Sequence, residues 1–278
     1  MDRPAFSLEM DRRRLLMLGA ASPLVGGCGG AAAVAPAPAA VDLLRVCNAD
    51  YYPAAERLLA AAPGQVLEVA FDHDPAWVEG ASAGLWLDGE KVGDAPRRSR
   101  RWLGRMLNAG RRLRATVDSI RPATEYSGPA CMARIELLRD GVDAPLGRAV
   151  CDDFWAPRVR EEQAHRYAEL FAREGRSPVY LGGGCVAVGR RPEADPETAP
   201  ETGPETGDLW RLVVGAPTRW RAGQVECVAL DGAVMGRLSA EPDRMARRML
   251  EAGLALWAVV LDKAPNGAWT NVAIYLAD

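Results

Sequence analysis

The sequence predicts an α+β, β-rich protein made of two related units, each a set of short strands with one or two helices. Two observations carry this. The first is an internal repeat. Trp77, Leu87, Asp88, Gly89, Gly93, Arg105, Met106, Leu107, Ala109 and Gly110 recur in order and at one constant spacing as Trp220, Leu230, Asp231, Gly232, Gly236, Arg248, Met249, Leu250, Ala252 and Gly253. An ungapped correspondence of this length marks a duplicated structural unit. The shared residues therefore build a fold, since one active site rarely needs two copies. The second observation is periodicity: short apolar alternations, each closed by a Gly or Pro turn signal, dominate both copies.

Element by element, Leu43-Leu44-Arg45-Val46-Cys47 alternates as a strand. Pro53 opens a short helix through AAERLLAA, and Pro63-Gly64 ends it. Val66 to Phe71 reads as the next strand, and Gly84 to Leu87 runs into an Asp88-Gly89 hairpin turn. After Pro96 a helix spans about Ser99 to Asn108, with Trp102, Leu103, Met106 and Leu107 on one face and Gly110 as its stop. Arg112 to Ile120 and Met132 to Leu138 are the closing strands. The second copy repeats the order with strands at Trp210 to Val214 and Gln224 to Leu230. A helix from about Pro242 to Glu251 follows, then strands at Leu254 to Leu261 and Thr270 to Leu276. Between the copies lie a helix over 158–173 and a strand from Pro178 to Val188, interrupted by Gly182-Gly183-Gly184. These two are expected to match the short helix and Val66–Phe71 strand of the first copy.

The chain thus divides into a signal peptide (1–27), a Pro/Ala linker (28–42), a first unit (43–138) and a divergent second unit (139–276). Residues 190–207 of the second unit form a Pro/Glu/Thr insertion almost without apolar content, expected to be disordered. The signal reading rests on Arg12-Arg13-Arg14 before a short apolar run that ends at Val25-Gly26-Gly27-Cys28. Paired arginines resemble the twin-arginine export pattern, and small residues before a Cys resemble a lipoprotein box. Cys28, acylated, would be the mature N-terminus and bind membrane lipid. Met10 is an alternative start, and a plain cleaved signal is the alternative to lipidation. The run is too short to span a bilayer.

A hydrophobic fraction of 49% is globular, and eight Trp supply core area. The formal net charge of -3 speaks against non-specific nucleic-acid binding. The cations are nearly all Arg, with Lys only at positions 91 and 263. Beyond Cys28, Cys47, Cys131, Cys151, Cys185 and Cys227 permit one or two bridges in an oxidising compartment or serve as small buried residues. No CxxC or Cys/His spacing suggests zinc, and no cofactor is expected.

The repeated unit resembles the HIRAN domain. Tyr51-Tyr52 stands at that family's tyrosine turn, Asp72-His73-Asp74-Pro75 at its acidic motif, Asp88 to Arg98 at its turn and Gly–Pro–Arg step, and Leu107 to Gly110 at its helix end. The likeness covers residues 43–138 and, more weakly, 208–276. It implies two OB-like small β-barrels, and a family activity of binding the 3′ end of single-stranded DNA. Two departures count against that activity: Ala76-Trp77 follows Pro75 where the family continues its acidic motif, and the second copy lacks the motif altogether.

Several residue groups are weighed for chemistry. Asp72-His73-Asp74 offers two carboxylates on one side of an extended segment, but reads better as a solvated turn. His165 sits on a charged helix face. Gly182-Gly183-Gly184-Cys185 lacks the Lys-Ser/Thr of a phosphate loop and reads as a turn or bulge. Arg97, Arg98, Arg100, Arg101, Arg105, Arg111, Arg112 and Arg114 form the basic cluster. With Tyr51, Tyr52 and Trp77, Arg97 and Arg98 make the candidate ligand groove, an aromatic-plus-cation pattern suited to single strands. A charged outer helix face is the plainer alternative. No nucleophile–base–orienter set appears, so the expected role is non-enzymatic. The expectation is an exported, lipid-anchored binding or assembly module of the bacterial cell envelope with an unidentified envelope partner or ligand. Single-stranded nucleic-acid binding through the first unit is the alternative.

Overall fold

The computed structural model describes residues 37–72, 82–125, 127–146, 167, 171, 178–187, 204–217, 223–263 and 269–277. Cys28, Trp77, Cys151, His165, Trp220, His73 and Asp74 lie outside the described residues, as do most of the helix expected over 158–173 and most of the insertion.

The first copy contributes β1 (Ala39–Arg45), a 3-10 turn (Ala49–Tyr51), α1 (Ala55–Leu59), β2 (Val66–Asp72), β3 (Ser82–Leu87) and β4 (Glu90–Asp94). It continues with α2 (Arg97–Asn108), β5 (Arg111–Arg121) and β6 (Ala130–Val142). The second contributes β7 (Val179–Ala187), β8 (Leu209–Val214), β9 (Val225–Ala229) and β10 (Val234–Leu238). It ends with α3 (Ala240–Glu251), β11 (Leu256–Lys263) and β12 (Trp269–Leu276). Strands of the first copy form a six-stranded sheet in the order β1-β6-β5-β2-β3-β4; those of the second form a closed barrel, β10-β7-β12-β11-β8-β9. All of this pairing is antiparallel. The two orders are the same once β7 is laid on β1. The first sheet even carries the rudiment of the barrel's closure, a single bridge between Cys47 and Asp94. The expected β-rich, duplicated architecture is therefore observed, with one closed barrel and one sheet joined at its edges by that bridge.

The repeat residues explain themselves in this frame. Gly93 and Gly236 sit where the fourth strand meets the first. A Cβ on Gly93 would overlap Val46 Cγ1 and come within 2.9 Å of Cys47 O. One on Gly236 would come within 2.5 Å of Ala187 O. Gly110 and Gly253 end the two helices at φ 78° and 76°, a backbone that favours glycine. Met106 and Met249 are fully buried on the inner helix faces. Leu107 and Leu250, expected to be buried, are only half-buried and pack against the edge of the core.

Four sequence expectations are corrected. The Pro/Ala linker does not extend to 42: Ala39 and Ala40 pair with Leu137 and Glu136, because sheet pairing overrides a weakly β-forming composition. The triglycine does not interrupt its strand; Gly182, Gly183 and Gly184 pair in register with Ile274, Ala273 and Val272. The irregularity lies one residue earlier, at Leu181, which is skipped between the Gly182 and Tyr180 pairings. The strand it belongs to, β7, occupies the place of β1 rather than that of the Val66–Phe71 strand. Finally, the ungapped correspondence slips by one residue in the hairpin. Leu85 faces Gly93, whereas Cys227, not Val228, faces Gly236. A one-residue slip changes the face of every side chain. It accounts for Leu87 being 3% exposed while its sequence counterpart Leu230 is 47% exposed.

Each helix also packs on the other copy's first strand: α2 lies against β7, and α3 against β1. The equivalent arginines of the two helices carry these contacts. Arg105 Nη1 donates to Leu181 O at 2.9 Å, with its guanidinium 4.6 Å from the Tyr180 ring centroid. Arg248 pairs with buried Asp42, whose other oxygen accepts a 2.7 Å bond from Ser99 Oγ. By strand register Asp42 is the counterpart of Gly182, and skipped Val41 that of skipped Leu181. The two copies thus meet through reciprocal, pseudo-symmetric contacts.

Candidate functional site

One corner of the first sheet holds a concentration of buried ionic groups. Asn48 adopts a left-handed backbone, φ 59°, which Asn tolerates better than most residues. The 3-10 turn that follows brings Tyr52 back over the end of β4. There Asp94, only 3% exposed, accepts from Tyr52 Oη at 2.9 Å and from Asn48 Nδ2 at 3.0 Å through the same oxygen. Its other oxygen lies 2.9 Å from Lys91 Nζ. The Lys91 ammonium also pairs with Asp72 at the end of β2 and sits 4.6 Å from the Tyr52 ring centroid. Gly84 makes this corner possible: a Cβ there would lie 3.1 Å from Trp86 Nε1 and 3.4 Å from Lys91 Cε. Trp86 Nε1 is buried with no hydrogen-bond acceptor among the described residues.

The protonation states follow from these contacts. Burial pulls the Lys91 pKa down, but the hydrogen bonds its ammonium donates to Asp72, Tyr52 and Asp94 outweigh it, and the net shift is well upward. Burial lifts the Tyr52 pKa, Asp94 adds to the rise and Lys91 opposes it. Burial likewise pushes the thiols up, Cys131 to about 11 and Cys227 to about 12. Burial also raises Cys47, against the opposing charges of Arg45, Arg100 and Arg98. The lysine therefore stays an ammonium, and these thiols stay protonated at neutral pH. Among the described residues no group of three or more His, Cys, Asp or Glu side chains is placed to hold a metal.

The second unit, the closed barrel, builds the same corner from different chemistry. By strand register Asp94 corresponds to Arg237, Lys91 to Val234 and Gly84 to Glu226. Arg237 and Glu226 form a 3.2 Å ion pair with the arginine side chain 58% exposed. A six-stranded unit of this topology thus closes without a buried lysine or aspartate at its seam.

Of the residues read from sequence, Tyr52 belongs to this group through its hydroxyl. Tyr51 beside it is 72% exposed. Arg97 and Arg98 are exposed on the first turn of α2, three and four positions after Asp94. Trp77 lies outside the described residues. Asp72 is present as a lysine partner. Asn48, Lys91, Asp94 and Trp86 were not singled out by sequence reasoning. A signal did exist: Lys91 is one of two lysines in an arginine-rich chain, and it differs from its repeat counterpart where the flanking glycines do not.

No protein-family model, no curated protein and no solved structure matches the chain.

Proposed function

We propose that this protein is an exported, lipid-anchored, non-enzymatic binding or assembly module of the bacterial cell envelope, with tandem HIRAN-like units, the second closed into an OB-type barrel and the first a six-stranded sheet. Its ligand contact lies at the Tyr52–Asp94–Lys91–Asp72 corner. One observation supports that placement above others: of two units with the same strand order, only the first carries this Lys91–Asp94–Asp72 group among the described residues. A buried carboxylate, Asp94, with a half-buried ammonium and a second, half-buried carboxylate costs desolvation, and an apolar replacement of such a set is often neutral or stabilising. Their presence in one copy alone therefore argues for recognition rather than folding. The lysine held in its charged form and the protonated thiols favour binding over nucleophilic catalysis. Export and anchoring rest on Arg12-Arg13 and the Val25–Cys28 box.

Labelling cells with an alkynyl fatty acid tests the anchor. Wild-type protein is expected to be labelled and membrane-associated, and Cys28→Ala to be unlabelled. An unlabelled, soluble wild type would overturn the lipidation.

A second reading is favoured by exposed Tyr51, Arg97 and Arg98 near the same corner: binding of a single-stranded nucleic-acid end. Stacking is worth about 1–3 kcal/mol per base, but the acidic motif is broken and the net charge is -3. Titration with a labelled oligonucleotide is expected to show no micromolar binding at physiological salt. Tight binding that requires a free 3′ end would replace the envelope reading with this one.

A further inference from the structure

The reciprocal packing of the two copies leaves one of two equivalent positions without an aromatic ring among the described residues. Beneath Arg105 of the first copy's helix lies the Tyr180 ring, 4.6 Å from the guanidinium and 5.7 Å from the Tyr275 ring. Register fixes the counterpart of Tyr180. Tyr180 pairs with Tyr275 on the far side of skipped Leu181, and Ala40 pairs with Glu136 on the far side of skipped Val41. The position under Arg248 that corresponds to Tyr180 is therefore Ala40. Where the second copy places a phenol ring, the first has a methyl group, and Ala40 is exposed.

At this place lies an open cleft of about 370 Å³ lined by Ala39, Ala40, Leu43, Arg134, Arg248 and Glu251. This size is at the lower end for ligand pockets. The cleft lies apart from Lys91 and Asp94, and none of its lining residues belongs to the corner described above. Its lining mixes both charges: Asp42 neutralises Arg248, and Asp118 pairs with Arg134 at 2.8 Å. A small ligand of high net charge finds no complementary field there. A neutral apolar ring finds alanines and an arginine face, the environment that Arg105 offers Tyr180.

We infer that this cleft receives an aromatic side chain of a partner polypeptide, which docks against Arg248 as Tyr180 docks against Arg105. The internal repeat identifies the occupant's chemistry. The ring that fills the equivalent position is a tyrosine carried on a peptide backbone. The inference is independent of the Lys91 corner and stands or falls without it.

Amide NMR of the labelled full chain tests it with two peptides, acetyl-Gly-Tyr-Gly-amide and acetyl-Gly-Leu-Gly-amide, and with free phenol. The tyrosine peptide is expected to shift the resonances of Ala40, Leu43 and Glu251 and to bind at least about tenfold more tightly than the leucine peptide. Ala40→Tyr, which supplies the ring from within, is expected to abolish those shifts. Ala40→Glu, at the same exposed position, gives an independent block if the tyrosine variant folds poorly. Equal binding of the two peptides, binding of phenol with exclusion of the tyrosine peptide, or undiminished binding to both Ala40 variants would each overturn the inference.

Discussion

At the residue scale, glycine at the strand seam decides whether each unit closes. Any side chain at Gly93 collides with Val46, and one at Gly236 collides with the Ala187 carbonyl and with Val186 Cγ1 at 2.7 Å. Overpacking of this kind typically costs about 1–3 kcal/mol. Gly93→Ala and Gly236→Ala should each lower the chemical-denaturation midpoint by a comparable free energy, whereas Gly89→Ala, whose Cβ meets nothing within 4 Å, should show backbone strain alone. The titrating groups add a pH dependence. Lys91, Cys131, Cys227 and Tyr275 all have folded pKa values raised above their ordinary values of 10.5, 9.0, 9.0 and 10.0. Raised values mean that the folded state holds protons the unfolded state has released. Their contribution is complete below about pH 9 and is lost as pH climbs through 9 and beyond. Thermal melts should therefore fall progressively from about pH 9 upward; a melting temperature constant to pH 11 would contradict the burial of these groups. These features were partly legible in advance. The glycines stood out as repeat positions, but their reason, contact with the first strand, is a long-range pairing that no local pattern announces.

At the scale of elements, the two twelve-residue helices, Arg97–Asn108 and Ala240–Glu251, were legible from their apolar spacing and terminal glycines. The face was legible too, but its centre was not. Met106 and Met249 are buried completely, while Leu107 and Leu250 reach only the margin. Met106→Ala and Met249→Ala should each cost about 2–5 kcal/mol in denaturant unfolding, and Leu107→Ala and Leu250→Ala clearly less. The strands were found within a few residues, apart from those whose identity depends on a partner. Ala39–Val41 and the triglycine have the composition of linker and turn, and become strands only because β6 and β12 offer an edge to pair with. The hairpin slip between the copies was invisible for the same reason. Sequence identity aligns Leu87 with Leu230, whereas the opposing strand decides which face each occupies.

At the scale of the whole molecule, duplication is what makes the chain interpretable. Two units of one topology share a scaffold of turns, core methionines and interface arginines. What differs between them is set against that scaffold as a background. The difference is concentrated at the seam, where Lys91 and Asp94 of the first unit, joined by Tyr52, hold the places that Val234 and the exposed Arg237 of the Arg237–Glu226 pair take in the second. Composition alone did not expose this corner, because its members come from β2, the turn after β1, and β4. The central claim is that this group serves recognition and not folding. Equilibrium unfolding of the variant Tyr52→Phe, Asp72→Leu, Lys91→Met, Asp94→Leu tests that claim most directly. The account predicts a folded variant with stability unchanged or raised by about 1–4 kcal/mol, as when other buried ionic sets are replaced by apolar ones of similar volume. A loss of more than about 3 kcal/mol, comparable to breaking a needed buried pair, would show that the corner holds the first unit together and would contradict the account.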